Sequence, residues 1–420
     1  MMQAVPAVEI QARLSILKET LAAEGLDLAL IRQAADLLYY TGVLVDGFLA
    51  VAPGKEPLLL VRRPQSRFKE AAVPWPLVFY RDLKELPALL AQGGLVPQGA
   101  VGLELDVMPA LLYQRFKEQI VPQQPIRDLS PLVRRQRMVK SPYEVEQLRR
   151  AAAILDQAHQ AVPELLQPGM TELELSAALE YRLRVLGHQG LVRIRNLDLE
   201  LFYGHVLSGV SGLVPAYVDT PSGGAGVSHA FPQGPSLKRL APNEPISIDL
   251  AACVNGYVVD MTRMYALGEL PERAWEAWRL VEELYRIFES EARPGVMPGK
   301  IFHRLWDLVR SRGLQNRFMG PGPERVSFLA HGVGLELDEY PVISARFPYP
   351  LEANMVLAFE PKFFLPEIGM IGMEDTGCIT PEGVAWLTRS PRQITIIQGG
   401  GCRVMKKFKK SLDCVDFAPK

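Results

Sequence analysis

The chain has 420 residues, 48% of them apolar, and its 46 basic and 47 acidic side chains leave a formal net charge of −1. That length builds two or three domains with a substantial core, and the balanced charge gives no reason to expect nucleic acid or an anionic membrane as partner, so a small molecule or peptide is the default. No stretch approaches the roughly 18 apolar residues of a membrane span, and Met1 to Glu9 lacks a basic segment followed by an apolar one, so a soluble, cytoplasmic protein is expected.

Residues 8 to 133 alternate helical and strand-like segments. Ile10 to Ala23 has helical periodicity, and Leu26 to Ile31, Gly47 to Ala52, Pro57 to Val61 and Val101 to Leu105 are apolar runs of strand length. This α/β domain, taken as residues 1–135, contains no histidine and no acids at ligand spacing, so it is expected to shape a pocket or an interface. Prolines at 122 and 125 and the basic residues Arg134, Arg135 and Arg137 mark a boundary. A helix then begins at Ser141-Pro142-Tyr143-Glu144, with Ser as N-cap, Pro in the first turn and Glu closing a capping box. Val145, Leu148, Ala152 and Leu155 form its buried stripe.

The second domain, residues 136–395, carries a weak internal repeat. Pro168-Gly169 precedes a helix that stops at Gly187, and Pro294-Gly295 precedes another that stops at Gly313. Each follows a longer helix and precedes strand-like sequence carrying acids, so two αα-then-β halves would place a site on a pseudo-twofold axis. The tail, residues 396–420, with Lys406-Lys407-Phe408-Lys409-Lys410, reads as a flexible, solvated extension. The four cysteines (Cys253, Cys378, Cys402, Cys414) have no Cys-x-x-Cys spacing and read as free thiols.

Within the repeat, Ile246 to Arg263 reads as two apolar strands joined by Asn255-Gly256, the strongest short-range hairpin signal. With those two as turn residues, Asp260 lies opposite Ala251, and Asp249 points to the same face as Asp260. Diagonal Cβ atoms of this kind are about 7 Å apart, which is too close for two ionised acids in an apolar setting without a cation between them. His331 follows in His-Gly-Val-Gly334, Glu360 ends the apolar run Met355 to Phe359, and Glu374 follows a turn so that it faces Glu360 across a second hairpin. Two Asp, two Glu and one His balance two divalent cations, and oxygen-rich ligation suits Mn, Co, Fe or Zn.

The order Asp-x10-Asp, His-Gly-x-Gly, Glu-Pro, Glu-Asp-Thr is similar to that of the pita-bread metallopeptidases: Xaa-Pro aminopeptidases, prolidases, methionine aminopeptidases and the metal-free creatinase. Gly256-Tyr257, Asp260-x-Thr262-Arg263 and Arg137-x-x-Lys140-Ser141-Pro142-x-Glu144 look like the prolidase and Xaa-Pro aminopeptidase branch, as does an α/β domain ahead of the catalytic one. The resemblance covers residues 8 to about 390. It implies a creatinase-like α/β N-terminal domain plus an α+β pita-bread C-terminal domain with a pseudo-twofold repeat. It also implies Asp249, Asp260, His331, Glu360 and Glu374 as ligands of two divalent ions, a metal-activated hydroxide that cleaves Xaa-Pro bonds, and a homodimer. Glu360 would move the proton from water to the leaving amine. His229 stands where this branch carries a substrate-side histidine, with His205 as competitor.

Three positions depart from that pattern. Asp338 stands where the branch has a second histidine, Gly372 where it has an arginine, and Lys362 where a glycine is common. Asp338 beside the site adds negative charge, while Lys362 could restore one positive charge. The readings carried forward are a dinuclear Xaa-Pro peptidase with Asp338 at its catalytic site, a non-peptidase hydrolase or lyase on the same metal site, and a metal-binding protein without turnover.

Overall fold

A computed structural model of the chain describes residues 4–63, 75–195 and 203–397. Its N-terminal domain is built on a six-stranded sheet: β1 (Leu26–Ile31), β2 (Asp46–Val51), β3 (Leu58–Arg63), β4 (Leu77–Phe79), β5 (Ala100–Leu103) and β6 (Ile126–Asp128), in the order β4-β3-β2-β1-β5-β6. Strand alternation feeds two cores. Leu28 and Leu30 of β1 pack into one cluster with Phe48 and Phe116, while Ala29 and Ile31 face the other with Leu14 and Leu17. Helices α1 (Ala7–Ala23), α2 (Ala34–Thr41), α3 (Leu86–Gln92) and α4 (Ala110–Arg115) complete the domain. The first of them buries Ile10, Leu14, Leu17 and Leu21 at helical spacing.

Helix α5 (Ser130–Met138) runs through the expected boundary at 135/136, so the two domains share it. Ser141 then caps α6 (Pro142–Gln160) with the capping box expected from Glu144, and α7 (Val162–Leu165) and α8 (Glu172–Val185) follow. This helical layer packs on a sheet of β7 (Gly204–Ser208), β8 (Pro245–Val254) and β9 (Tyr257–Leu267), and Leu148, Leu155 and Leu179 share a core with Ile248 and Val259.

The second half repeats the plan. Helices α9 (Glu272–Glu291) and α10 (Pro298–Ser311) precede a five-stranded sheet, with order β11-β10-β12-β15-β16, made of β10 (Phe328–Gly332), β11 (Glu339–Ser344), β12 (Val356–Phe359), β15 (Asp375–Thr380) and β16 (Gly383–Trp386). Between its third and fourth strands in the chain lies the hairpin β13 (Lys362–Leu365) and β14 (Gly369–Gly372). Leu284, Phe288, Ile301 and Leu305 pack against Leu329, Leu357 and Phe359. The pattern of two helices followed by a sheet, used twice, bears out the α/β plus duplicated α+β architecture.

The last strand, β17 (Thr395–Ile397), pairs with β9 in parallel. The second domain therefore extends through Ile397, past the expected limit of 395, and the rest of the lysine-rich tail lies outside the described residues. Cys253 and Cys378 are buried free thiols. No helix among the described residues is long and apolar enough to cross a membrane.

Candidate metal centre

The β8–β9 hairpin turns at Asn255 (φ 50°) and Gly256 (φ 87°), both in the left-handed region a type I′ turn requires. Pairing runs from Val254 with Tyr257 to Ala251 with Asp260, which is the register the Asn-Gly turn predicts. Asp249 and Asp260 are each only 8% exposed. Across the domain, β10 delivers His331, and side chains in place of Gly332 and Gly334 would collide with the Tyr340 backbone and the Glu339 carboxylate.

Glu360 and Glu374 sit in the gap between two ladders of one ribbon. Phe359 pairs with Asp375 and Lys362 with Gly372, so the two glutamates face each other as expected. Glu374 is also stitched to β9. Thr262 N–H donates to its carbonyl at 3.3 Å, its own N–H donates to the Thr262 carbonyl at 3.2 Å, and Thr262 Oγ1 donates to Glu374 Oε2 at 2.9 Å.

The five residues read from the sequence as ligands therefore meet at one place, on the floor of a cavity of about 590 Å³. Donor atoms of Asp260, His331 and Glu374 all lie within 4.8 Å of one another. First-row ligand bonds of about 2.0–2.2 Å would close that span after shifts of a few tenths of an ångström. Glu374 Oε1 is buried without a hydrogen-bond donor, and His331 Nε2 stands 3.5 Å from it. An orphaned carboxylate oxygen among further acids and an imidazole fits a divalent cation.

The other side of the cluster is different. Lys362 Nζ donates to Asp249 Oδ2 at 2.9 Å, Glu360 Oε2 at 2.7 Å and Glu374 Oε2 at 3.3 Å. Burial opposes the ammonium form, but Asp249 and Glu360 hold the Lys362 pKa well above its ordinary value. Burial also opposes ionisation of Asp249, yet Lys362 and His205 pull its pKa below the usual carboxylate range. Asp260 behaves oppositely: burial, then Glu374 and Asp249, push its pKa well up. Burial and Glu374 raise Glu360 to about 8 in spite of Lys362. Asp249 thus has its counterion within the protein, whereas Asp260 lacks one.

Asp338 joins the site from the loop after His331. Its backbone is left-handed (φ 39°), and its Oδ1 lies 3.1 Å from His331 Nδ1, with the Gly332 carbonyl at 3.2 Å from the same nitrogen. Burial opposes the charged ring, but Asp338, Glu374 and Glu360 hold the His331 pKa well above its ordinary value. With a cation at Nε2, which faces Glu360 and Glu374 at 3.7 and 3.5 Å, the two acceptors at Nδ1 would keep the remaining proton there. His229 is not brought to the site: it is exposed and lies outside the cavity lining. His205 lines the cavity instead, because β7 pairs it directly with Asp249. Burial lowers its pKa to about 4, so the ring is neutral near pH 7.

Sequence reasoning also missed what holds the Asp338 loop. Arg137 donates to Asp36 Oδ1 at 2.6 Å, to Glu336 Oε2 at 2.8 Å and to Glu339, while Lys140 Nζ lies 3.1 Å from Glu339 Oε1. Arg195 Nη1 meets Asp36 Oδ2 at 2.7 Å. The Arg137-x-x-Lys140 phrase carried the signal, but its partners lie about two hundred residues along the chain.

Four buried acids and an imidazole with one ammonium among them, gathered where two halves of a duplicated α+β domain meet, place the molecule among the pita-bread metallohydrolases. The fold ahead of them is the α/β domain that accompanies that centre in creatinase-like proteins. The chain belongs to metallopeptidase family M24, whose model matches residues 146–381, and the creatinase/prolidase N-terminal domain model matches residues 13–139. It is 24% identical to an Xaa-Pro dipeptidase of Pyrococcus furiosus over 386 residues, 92% of this chain and 100% of that one. An Xaa-Pro dipeptidase of Lactobacillus delbrueckii subsp. lactis is also 24% identical, over 91% of this chain and 98% of the relative. Among solved structures, a prolidase from Pyrococcus horikoshii superposes with a TM-score of 0.76 at 23% identity, covering 91% of this chain and 99% of its own. An Xaa-Pro dipeptidase from Bacillus anthracis gives 0.78 at 23% identity, covering 92% and 99%. These structural likenesses carry the fold.

Proposed function

We propose that the protein hydrolyses Xaa-Pro bonds of dipeptides or short peptides at a divalent-metal centre formed by Asp260, His331 and Glu374. The observation that carries this reading is the orphaned Glu374 Oε1 beside Asp260 and His331 on the floor of a cavity large enough for a dipeptide. A divalent ion bound there supplies a Lewis acid for the scissile carbonyl and lowers the pKa of water. Glu360, ionised beside Lys362 and a bound cation, would take the proton of the attacking water and give it to the leaving amine. His205, neutral and on the cavity wall with Gln233 3.2 Å from its Nε2, would contact substrate in the role the sequence had offered to His229. Phe328, Leu337 and Val342 give the cavity an apolar side that suits a proline ring, and Asp219 and Asp338 give it an acidic one that suits a peptide N-terminus.

A second reading is supported by the same acidic side. A small cationic substrate other than a peptide, cleaved by a hydrolase or lyase reaction, would also be drawn to Asp338 and Asp219. The test is release of the N-terminal amino acid from Ala-Pro, Met-Pro, Lys-Pro and Ala-Pro-Gly, with Ala-Ala as control, by protein loaded with Mn(II) or Co(II). Turnover of Xaa-Pro substrates at least 100-fold faster than of Ala-Ala is expected. No cleavage of any of the Xaa-Pro substrates, by protein that has taken up metal, would reject the peptidase reading and leave the second.

A further inference from the structure

Two departures of the sequence from the family pattern, Lys362 and Gly372, are cross-strand partners in the β13–β14 ladder. A Cβ at position 372 would lie 2.5 Å from Lys362 Cγ and 2.9 Å from Lys362 Cα. Glycine there is the condition for the lysine stem to pass, so the two substitutions form one structural exchange. The stem leads the ammonium inward. Lys362 is 1% exposed, and its Nζ is within 3.3 Å of carboxylates from β8 and from both glutamate junctions. Its strand is pinned from the other side by Met319 N–H donating to the Lys362 carbonyl at 2.9 Å and by the Phe318–Phe363 bridge. This is not a surface lysine resting against an acid.

We infer that the Lys362 ammonium is a built-in second cation, so that the centre takes one divalent ion, on Asp260, His331 and Glu374, where the family pattern would hold two. Glu374 connects the two positions: Oε2 accepts from Lys362 and Thr262, while Oε1 is left without a donor on the His331 side. Asp249 and Glu360 each spend an oxygen on Lys362. Four carboxylates against one ammonium and one divalent ion leave a single formal negative charge. A second divalent ion would have to share its ligands with a cation already seated among them, and like charges at that distance repel. The inference rests on the metal-site part of the reading above and does not depend on which substrate is cleaved.

The test counts metal. Full-length protein is stripped with chelator and titrated with Mn(II), with stoichiometry read by calorimetry and by elemental analysis after gel filtration. One ion per chain is expected for the wild type, with any second ion bound at least 100-fold more weakly. Lys362→Gly, which removes the ammonium and opens its place among Asp249, Glu360 and Glu374, is expected to take two. Two tight ions in the wild type, none in the wild type, or only one in Lys362→Gly would each overturn the inference. If that variant does not fold, electron paramagnetic resonance of the Mn(II)-saturated wild type decides. An isolated six-line signal supports the single ion, and an exchange-coupled pair rejects it. Metal counting needs no turnover, so failure of the peptidase assay and failure of this inference are separate results.

Discussion

Asp338 shows how one residue can replace a family feature and still serve the site. Its carboxylate sits behind the imidazole, 3.1 Å from His331 Nδ1. Carboxylates in that place fix ring orientation and tautomer, and their loss typically weakens metal binding about 10–100-fold. Asp338→Asn tests the charge with little strain, because asparagine tolerates the left-handed backbone found at φ 39°. The variant is expected to raise the Mn(II) dissociation constant about 10-fold or more, as read by calorimetry, with its circular dichroism unchanged. An unaltered constant would mean that the Gly332 carbonyl alone orients the ring. The five residues that meet in the cavity were legible in the sequence because their order and residue types survive without knowledge of the fold. Lys362 was legible only as an oddity. Its destination depends on a cross-strand partner ten positions away and on the absence of a side chain there. Which of His205 and His229 lines the cavity was not legible at all, since it follows from β7 pairing with β8.

At the scale of elements, the β8–β9 hairpin could be read to its register because Asn-Gly admits few alternatives. Its tip does more than turn the chain. A Cβ on Gly256 would come within 2.6 Å of Leu38 Cδ2, a side chain of α2 in the N-terminal domain. Gly256→Ala therefore meets both left-handed strain and a contact across the domain boundary, and a loss of about 1–2 kcal/mol is expected. The measurement is the apparent melting temperature by scanning calorimetry, with metal stoichiometry as control. Asp249 and Asp260 are fixed by the pairing of two long strands rather than by the tip, so stoichiometry should hold while melting falls. Loss of metal without a change in melting would show that the turn positions the ligands. The helical repeat was also legible, through caps and apolar spacing, whereas α2, β4 and β7 are too short to announce themselves.

At the scale of the molecule, the two domains are joined by charge as well as by apolar packing. Arg137 lies on the shared helix α5, Asp36 on α2, and Glu336 and Glu339 at the ends of the loop that presents Asp338. Arg137 and Asp36 are 3% and 0% exposed, and Lys140 and Arg195, which also binds Asp106, add two further cations. Nothing in the composition marks this arrangement, because each member alone is an ordinary charged residue; only the fold brings residues 36, 137, 195, 336 and 339 together. Removing the central guanidinium leaves three buried carboxylates with two cations, a change that typically costs about 3–5 kcal/mol. Arg137→Leu is expected to lower the melting temperature and also to loosen a defined pair of segments. Amide hydrogen exchange should rise together in 34–41, on the N-terminal side, and in 333–339, on the catalytic side, while the strands of the β8–β9 hairpin keep their protection. Coupled loosening of those segments would weaken Mn(II) binding through the Asp338–His331 contact, although Arg137 touches no ligand. If exchange rises in only one of them, the ion cluster stabilises that domain alone, and the metal site is held by the catalytic domain without help from its neighbour.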